Sequence, residues 1–326
     1  MPVIALPFAK RWPVLSGCAV GLLLRFMFMG KGDQPYAAMM GSFIFLVPLL
    51  VGAVTVYLAE RRQRRSWRYY FFAASGANML LVLGSLIVMI EGLICAIVIL
   101  PLFGVLGGLA GLAMGTVCRL TRWPRHTLYS LTALPLLLGG IEQHLPLPNR
   151  IGEVHHSLLV AASPAQVWAQ LNDARDIAPG EVEAAWMYKI GVPLPVSGIS
   201  EATADGQVRH VVMGKHIHFD QVATDWQPER RVRWVYRFNK DSFPPGALDD
   251  HVMIGGRYFD IQDTEYTLTP RGTATELGIT MHYRVSTSFN WYAQPIAKLL
   301  IGNFEQVILR FYARRAESVA QASITH

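Results

Sequence analysis

The sequence predicts two architectures in series: an α-helical membrane bundle over residues 1–147, then an α+β domain over 153–320. Three observations carry this. Of 326 residues, 52% are hydrophobic and only 16% charged, with a mean hydropathy of +0.29, whereas ordinary soluble domains carry about 25% charge. The charges are also partitioned: residues 1–150 hold 13 Lys/Arg and 4 Asp/Glu, the rest 16 and 19. Near Glu153 the hydrophobic pattern changes from long unbroken runs to a two-residue alternation, and the chain closes on a stripe of helical period. This composition excludes a disordered chain, and three cysteines exclude a disulfide scaffold. The basic excess belongs to the apolar half, so the pI near 9.3 does not signal a nucleic-acid partner.

The membrane half is expected to span at about 13–29, 37–59, 69–90, 97–118 and 127–145, given the ~20 apolar residues that a crossing helix needs. Tyr69 to Cys118 is 50 residues with one charge, Glu91; at 1.5 Å per residue that is roughly 75 Å, two spans with a tight hairpin. The fifth segment is the shortest apolar run and meets Glu142 before the turn-rich Pro146-Leu147-Pro148-Asn149. No cleavable signal peptide is evident after Lys10-Arg11. Basic residues mark the cytoplasmic side. Lys10 and Arg11, the cluster Arg61, Arg62, Arg64, Arg65 and Arg68, and Arg119, Arg122 and Arg125 all fall there, whereas the alternate connections carry only Lys31 with Asp33, and Glu91. The pattern describes a bacterial inner-membrane protein with a cytoplasmic N-terminus. Five crossings, the favoured count, put the C-terminal domain in the periplasm; four would leave it cytosolic. Arg25 and Glu91 are expected to snorkel from helix ends, and His126 and His144 also fall at span ends. Gly104, Gly108, Gly111 and Gly115, with Gly107, form a small-xxx-small ladder suited to close helix packing within the bundle or to a homo-oligomer seam.

In the second half, His156–Ala162 predicts a strand, and Ser163-Pro164 a helix start that presents Val167, Trp168 and Leu171. After a Pro/Gly-rich stretch come strands at Gln207–Met213, Lys215–Thr224, Arg231–Phe238, Arg257–Leu268 and Glu276–Val285, the last two a hairpin around Pro270-Arg271-Gly272. A half-buried antiparallel sheet follows from their alternation. Ile296, Leu300, Phe304, Val307, Ile308 and Phe311 then mark a long helix from Trp291 or Pro295 to about Val319.

The run Ser157-Leu158-Leu159-Val160-Ala161-Ala162-Ser163-Pro164-Ala165-Gln166-Val167-Trp168 carries a resemblance. It is joined by Gly255-Gly256-Arg257-Tyr258-Phe259 through Pro270-Arg271-Gly272-Thr273 and by Asn290-Trp291-Tyr292 at the closing helix. This half resembles the START-like, or SRPBCC, helix-grip superfamily in its polyketide-cyclase/dehydrase-like branch. The resemblance implies a curved sheet gripping the long helix around a hydrophobic cavity that takes lipids or other apolar ligands. It implies no universal catalytic set.

Cavity-lining candidates are Phe219, Trp234, Tyr236, Met281 and Tyr283 from the sheet and Leu300, Phe304 and Ile308 from the helix; any of them could be plain core. If even-numbered positions of the Tyr258–Leu268 strand face inward, Asp260 and Gln262 reach the cavity with Tyr258 and Tyr266. Gly255-Gly256 is where a bulge could shift that register. His216, His218 and Asp220 have metal-like i, i+2, i+4 spacing, but Ile217 and Phe219 claim the buried face, so no metal and no cofactor is expected. Asp249-Asp250-His251 could pair a carboxylate with an imidazole or simply solvate a loop. Arg231, Arg233 and Arg237 could meet lipid phosphates, but are rather expected to pair with acidic residues across the sheet. The chain has no P-loop, Gly-x-Ser-x-Gly, His-Glu-x-x-His or Cys-x-x-Cys motif. The resulting expectation is a membrane-anchored module that binds a lipid or other hydrophobic small molecule. The alternatives are a cyclase/dehydrase-type enzyme using Asp260 or His251, and a non-catalytic oligomeric membrane module.

Overall fold

The computed structural model describes residues 11–30, 34, 36–121, 130–204, 206–249 and 251–324. Lys10, Lys31, Asp33, Arg122, Arg125, His126 and Asp250, named above, lie outside them. The chain divides into two units, Met1–Pro148 and Asn149–His326.

The first unit is helical. Its helices are α1 (Trp12–Met27), α2 (a π-helical turn Ser42–Leu46 running into Val47–Glu60), α3 (Trp67–Ile87), α4 (Leu93–Leu120) and α5 (Leu134–Glu142). Three, Ser42–Glu60, Trp67–Ile87 and Leu93–Leu120, are long and apolar enough to cross a membrane; Trp12–Met27 and Ser130–Glu142 are apolar but shorter. Small residues bring the helices together. Side chains at Gly17 and Gly21 would strike Thr55, Val51 and Leu81, so α1 lies directly on α2 and α3. The ladder on α4 is used in the same way. Gly107 faces Asn78, Gly108 faces Phe71 and Ser75, Gly111 faces the Tyr70 carbonyl and Ala74, and Gly115 faces the Tyr70 ring, while Gly104 meets only Met79. Gly108, Gly111 and Gly115, offered above as an oligomer seam, are thus occupied by α3 of their own chain.

Several polar groups inside this unit find partners within it, although Asn78 Oδ1 and Ser42 Oγ have none among the described residues. Asn78 donates to the carbonyls of Pro48 and Ala74, and Ser75 to that of Gly104. Arg25 and Glu91 do not snorkel. Arg25 Nε lies 2.7 Å from Glu91 Oε1 with both side chains 4% exposed, and Nη2 donates to the Ile90 carbonyl. Burial without water makes a partner obligatory, and pairing supplies it. At one end of the bundle Arg119 donates to the Tyr70 hydroxyl and the Arg65 carbonyl. At the other, Glu142 of α5 accepts from the backbone N–H groups of Gly41 and Ser42, at 2.6 and 2.7 Å, and so caps α2.

The second unit is an eight-stranded antiparallel sheet in the order β1-β8-β7-β6-β5-β4-β3-β2. The strands are β1 (Asn149–Val160), β2 (Asp173–Ala174), β3 (Pro195–Thr203), β4 (Gly206–Met213), β5 (His218–Gln227), β6 (Arg231–Arg237), β7 (Phe259–Arg271) and β8 (Ala274–Ser286). The helix α6 (Pro164–Asn172) begins in a capping box, Ser163 with Gln166, and has Pro164 in its first turn. Short helices α7 (Pro179–Val182) and α8 (Trp186–Lys189) follow, and α9 (Asn290–Ile324) closes the chain.

Bulges between Pro195 and Ser197, Ala223 and Asp225, and Ile261 and Asp263 bend the sheet. Its inner face packs on α9 through a core that includes Val160, Leu277, Ile279, Ile301 and Phe311. A curled antiparallel sheet closed on one long helix fits the helix-grip arrangement. The opening strand is longer than the sequence pattern suggested, because its outer half, Asn149–Glu153, is mostly exposed and carries no apolar alternation.

Candidate functional site

A cavity of about 150 Å³ lies between the inner face of the sheet and α9. A space of that size takes one aromatic ring. Alternation along the strands decides what reaches it. Arg209, Val211 and Met213 of β4 point in together, as do Phe219 and Gln221 of β5, Tyr236 of β6, and Thr264 and Tyr266 of β7. Met281 of β8 and, from α9, Phe304, Ile308, Phe311 and Tyr312 complete most of the wall, with Tyr188 of α8 edge-on to Phe304.

Six of the ten candidates chosen from sequence border this space: Phe219, Tyr236, Tyr266, Met281, Phe304 and Ile308. The other four do not. Trp234 is buried in an aromatic cluster, its ring 5.8 Å from that of Trp226, which stacks edge-on to Trp168. Tyr283 fills the space left by the missing side chain of Gly152. Tyr258 is buried beside the His251 ring, and Leu300 is half-buried on α9, off the cavity.

The acid–base candidates also lie elsewhere. Gln262 is the extra residue of the β7 bulge, so Ile261, Thr264 and Tyr266 face inward. Asp260 instead accepts from the Gly255 N–H at 2.8 Å. The even-numbered register therefore holds only beyond the bulge. His251 lies 3.0 Å from Asp249 and does not border the cavity.

The metal-like triplet is dispersed. His216 sits in a tight turn with φ +60°, ahead of β5, because Lys215 and His216 adopt left-handed backbone that breaks the alternation. Asp220 is held by His210 at 2.7 Å and Arg237 at 2.9 Å, and His218 turns toward Asp241 at 3.4 Å. The outer-face arginines pair across the sheet, Arg233 with Glu265 and Arg231 with Asp225.

The polar floor of the cavity was not singled out in the sequence. Arg209 is 7% exposed; its Nη2 donates to the Tyr312 hydroxyl at 2.6 Å, and its Nε has no acceptor. The guanidinium occupies the space a side chain at Gly198 would take, since a Cβ there would lie 2.6 Å from Nη2. Gln221 is equally buried, and its carbonyl oxygen accepts nothing. The Tyr236 hydroxyl lies 2.8 Å from Thr264 Oγ1. Burial pushes the phenols of Tyr188, Tyr236 and Tyr266 up, further above physiological pH than an ordinary phenol already lies. One sequence signal existed: Arg209 shares its strand face with Val211 and Met213.

No family model and no curated protein matches this chain. Solved structures similar to about half of this chain include an aromatase/cyclase from Streptomyces, 14% identical, covering 53% of this chain and 98% of that one at a TM-score of 0.37. A START superfamily protein from Mycobacterium smegmatis is 14% identical over 51% and 98%, with a TM-score of 0.36. Norcoclaurine synthase from Thalictrum flavum is 15% identical over 50% and 97%, with a TM-score of 0.27. At these scores the fold rests on the strand order and the closing helix, not on the likenesses.

Proposed function

We propose that this chain is a membrane-anchored binding protein whose helix-grip domain takes a hydrophobic small molecule into the cavity between sheet and α9. The observation that carries the reading is the cavity itself, lined by Phe219, Tyr236, Met281, Phe304 and Ile308. Burial of an apolar guest against such walls is worth about 25 cal/mol per Å² removed from water. The acid–base candidates Asp260 and His251 do not border the cavity, which favours binding over a cyclase-type reaction. Tethering to a bilayer raises the effective concentration of the site for membrane-dissolved guests.

The contacts of α5 support five crossings. Arg119, at the end of α4, meets Tyr70 and Arg65 beside the arginine cluster. Glu142 caps α2 at Ser42, the end of that helix away from Arg61. The 22 residues from Thr121 to Glu142 match the ~20 that a crossing requires. With the arginines cytoplasmic, the chain leaves the bundle on the outer side. The binding domain then works in the periplasm.

Mass spectrometry of the gently extracted full-length protein tests the binding reading. Wild type is expected to retain a small apolar molecule, and Ile308→Trp, which fills the cavity, to lose it. An empty wild type would overturn the reading. A phosphatase reporter fused after His326 is expected to be active; an inactive fusion at normal expression would favour four crossings.

A further inference from the structure

The cavity has a polar composition that an all-hydrocarbon guest would not use. Arg209 is a permanent cation, since a guanidinium does not deprotonate in proteins. Burying it without a counter-charge is costly, and none of the described residues around the cavity is acidic. Its phenol neighbours Tyr188, Tyr236 and Tyr266 are neutral at about pH 7, as phenols are, and burial pushes them further up, so they do not balance its charge. Two further facts separate this arginine from a structural one. Its Nε has no acceptor although the side chain is 7% exposed, and the neighbouring Gln221 carbonyl has no donor. A buried donor and a buried acceptor left without partners on one cavity wall is an arrangement that native folds avoid unless something fills it. Gly198 clears the space that holds the guanidinium at the wall.

We propose that the guest is a small carboxylic acid, its apolar body among Phe219, Met281, Phe304 and Ile308 and its acidic group on Arg209. This rests on the binding reading above and deepens it. Arg209 Nε donates to a carboxylate oxygen of the guest, while the Tyr312 hydroxyl, already bonded to Nη2, fixes the plane of the fork. A guest that also carries a hydroxyl or amide N–H would satisfy Gln221. The volume of about 150 Å³ favours a single ring with a short acidic arm over a long acyl chain.

The test is calorimetric titration of the full-length protein in phosphatidylcholine nanodiscs with two probes, 3-phenylpropanoate and its uncharged amide. A charge-assisted hydrogen bond in a desolvated site discriminates by roughly ten- to a hundredfold. The acid is therefore expected to bind more tightly by that factor at pH 7. Arg209→Gln should erase the preference, and Arg209→Lys should restore part of it, because it keeps the charge but loses the fork. Gly198→Ala, which displaces the guanidinium, should lower the preference without touching the charge. Equal affinity for acid and amide in wild type would overturn the proposal and leave the binding reading standing. A preference that survives in Arg209→Gln would overturn it as well. If neither probe binds, and extracted protein is empty, both fall together.

Discussion

Two buried arginines, one in each unit, are treated in opposite ways. Arg25 in the helical unit is matched by Glu91 at 2.7 Å and by the Ile90 carbonyl. Arg209 in the sheet domain has one neutral hydroxyl and an idle Nε. The first is a closed ion pair that joins α1 to the start of α4, and nothing needs to be added to it. The second is complete only when something else is present. The contrast separates a charge that holds a fold together from one that waits for a ligand, and hydrogen-bond accounting makes the distinction before any activity is known.

The largest effect is expected at the closed pair. Arg25→Met leaves the Glu91 carboxylate without its buried cation and should destabilise the helical unit by about 3–5 kcal/mol, whereas Arg25→Met with Glu91→Leu should recover most of that loss. Folded yield in detergent and thermal unfolding measure both. Next comes the glycine contact: Gly111→Leu drives a side chain into the Tyr70 carbonyl and Ala74 and should cost about 1–3 kcal/mol or more. A loss of dimer at unchanged stability would instead restore the oligomer seam.

In the sheet domain Glu305 is fully buried and bonded to His156 at 2.7 Å, and burial pushes its carboxyl up to about 8. The folded state therefore holds a proton that the unfolded chain releases near 4.5. Its contribution is complete below that value and is lost as pH rises toward about 8. A urea titration series should show stability falling across this window, and Glu305→Gln should flatten it. The smallest effect belongs to the exposed His210, raised by its hydrogen bonds to Glu201 and Asp220. Its removal should cost a few tenths of a kcal/mol at most, seen below the folded pKa of the imidazole and vanishing above it.

Much of the architecture was legible because it is written in periodicity. The alternation Leu277, Ile279, Met281, Tyr283, Val285 reads directly as the buried face of β8, and the Ser163-Pro164 cap reads as the start of α6. The site was only half legible. Strand alternation brought Phe219, Tyr236 and Met281 inward, but one bulge residue, Gln262, reversed the expected facing of Asp260. A bulge leaves no periodic trace. His216 left its strand through a left-handed backbone that its residue type does not announce. Arg209 was overlooked because its meaning depends on Gly198 and Tyr312, 11 residues before it and 103 after. The glycine ladder announced close approach without saying to which helix.

Thermal unfolding of the ligand-free full-length protein carrying Arg209→Met with Tyr312→Phe tests the contrast most directly. Removing both ends of a polar contact with groups of similar shape is near neutral when that contact is not structural. The double variant should melt at or above the wild-type temperature while losing its preference for 3-phenylpropanoate over the amide. A clear drop in melting temperature, comparable to that of Arg25→Met, would mean that Arg209 holds the fold together as Arg25 does, and would contradict its reservation for a ligand.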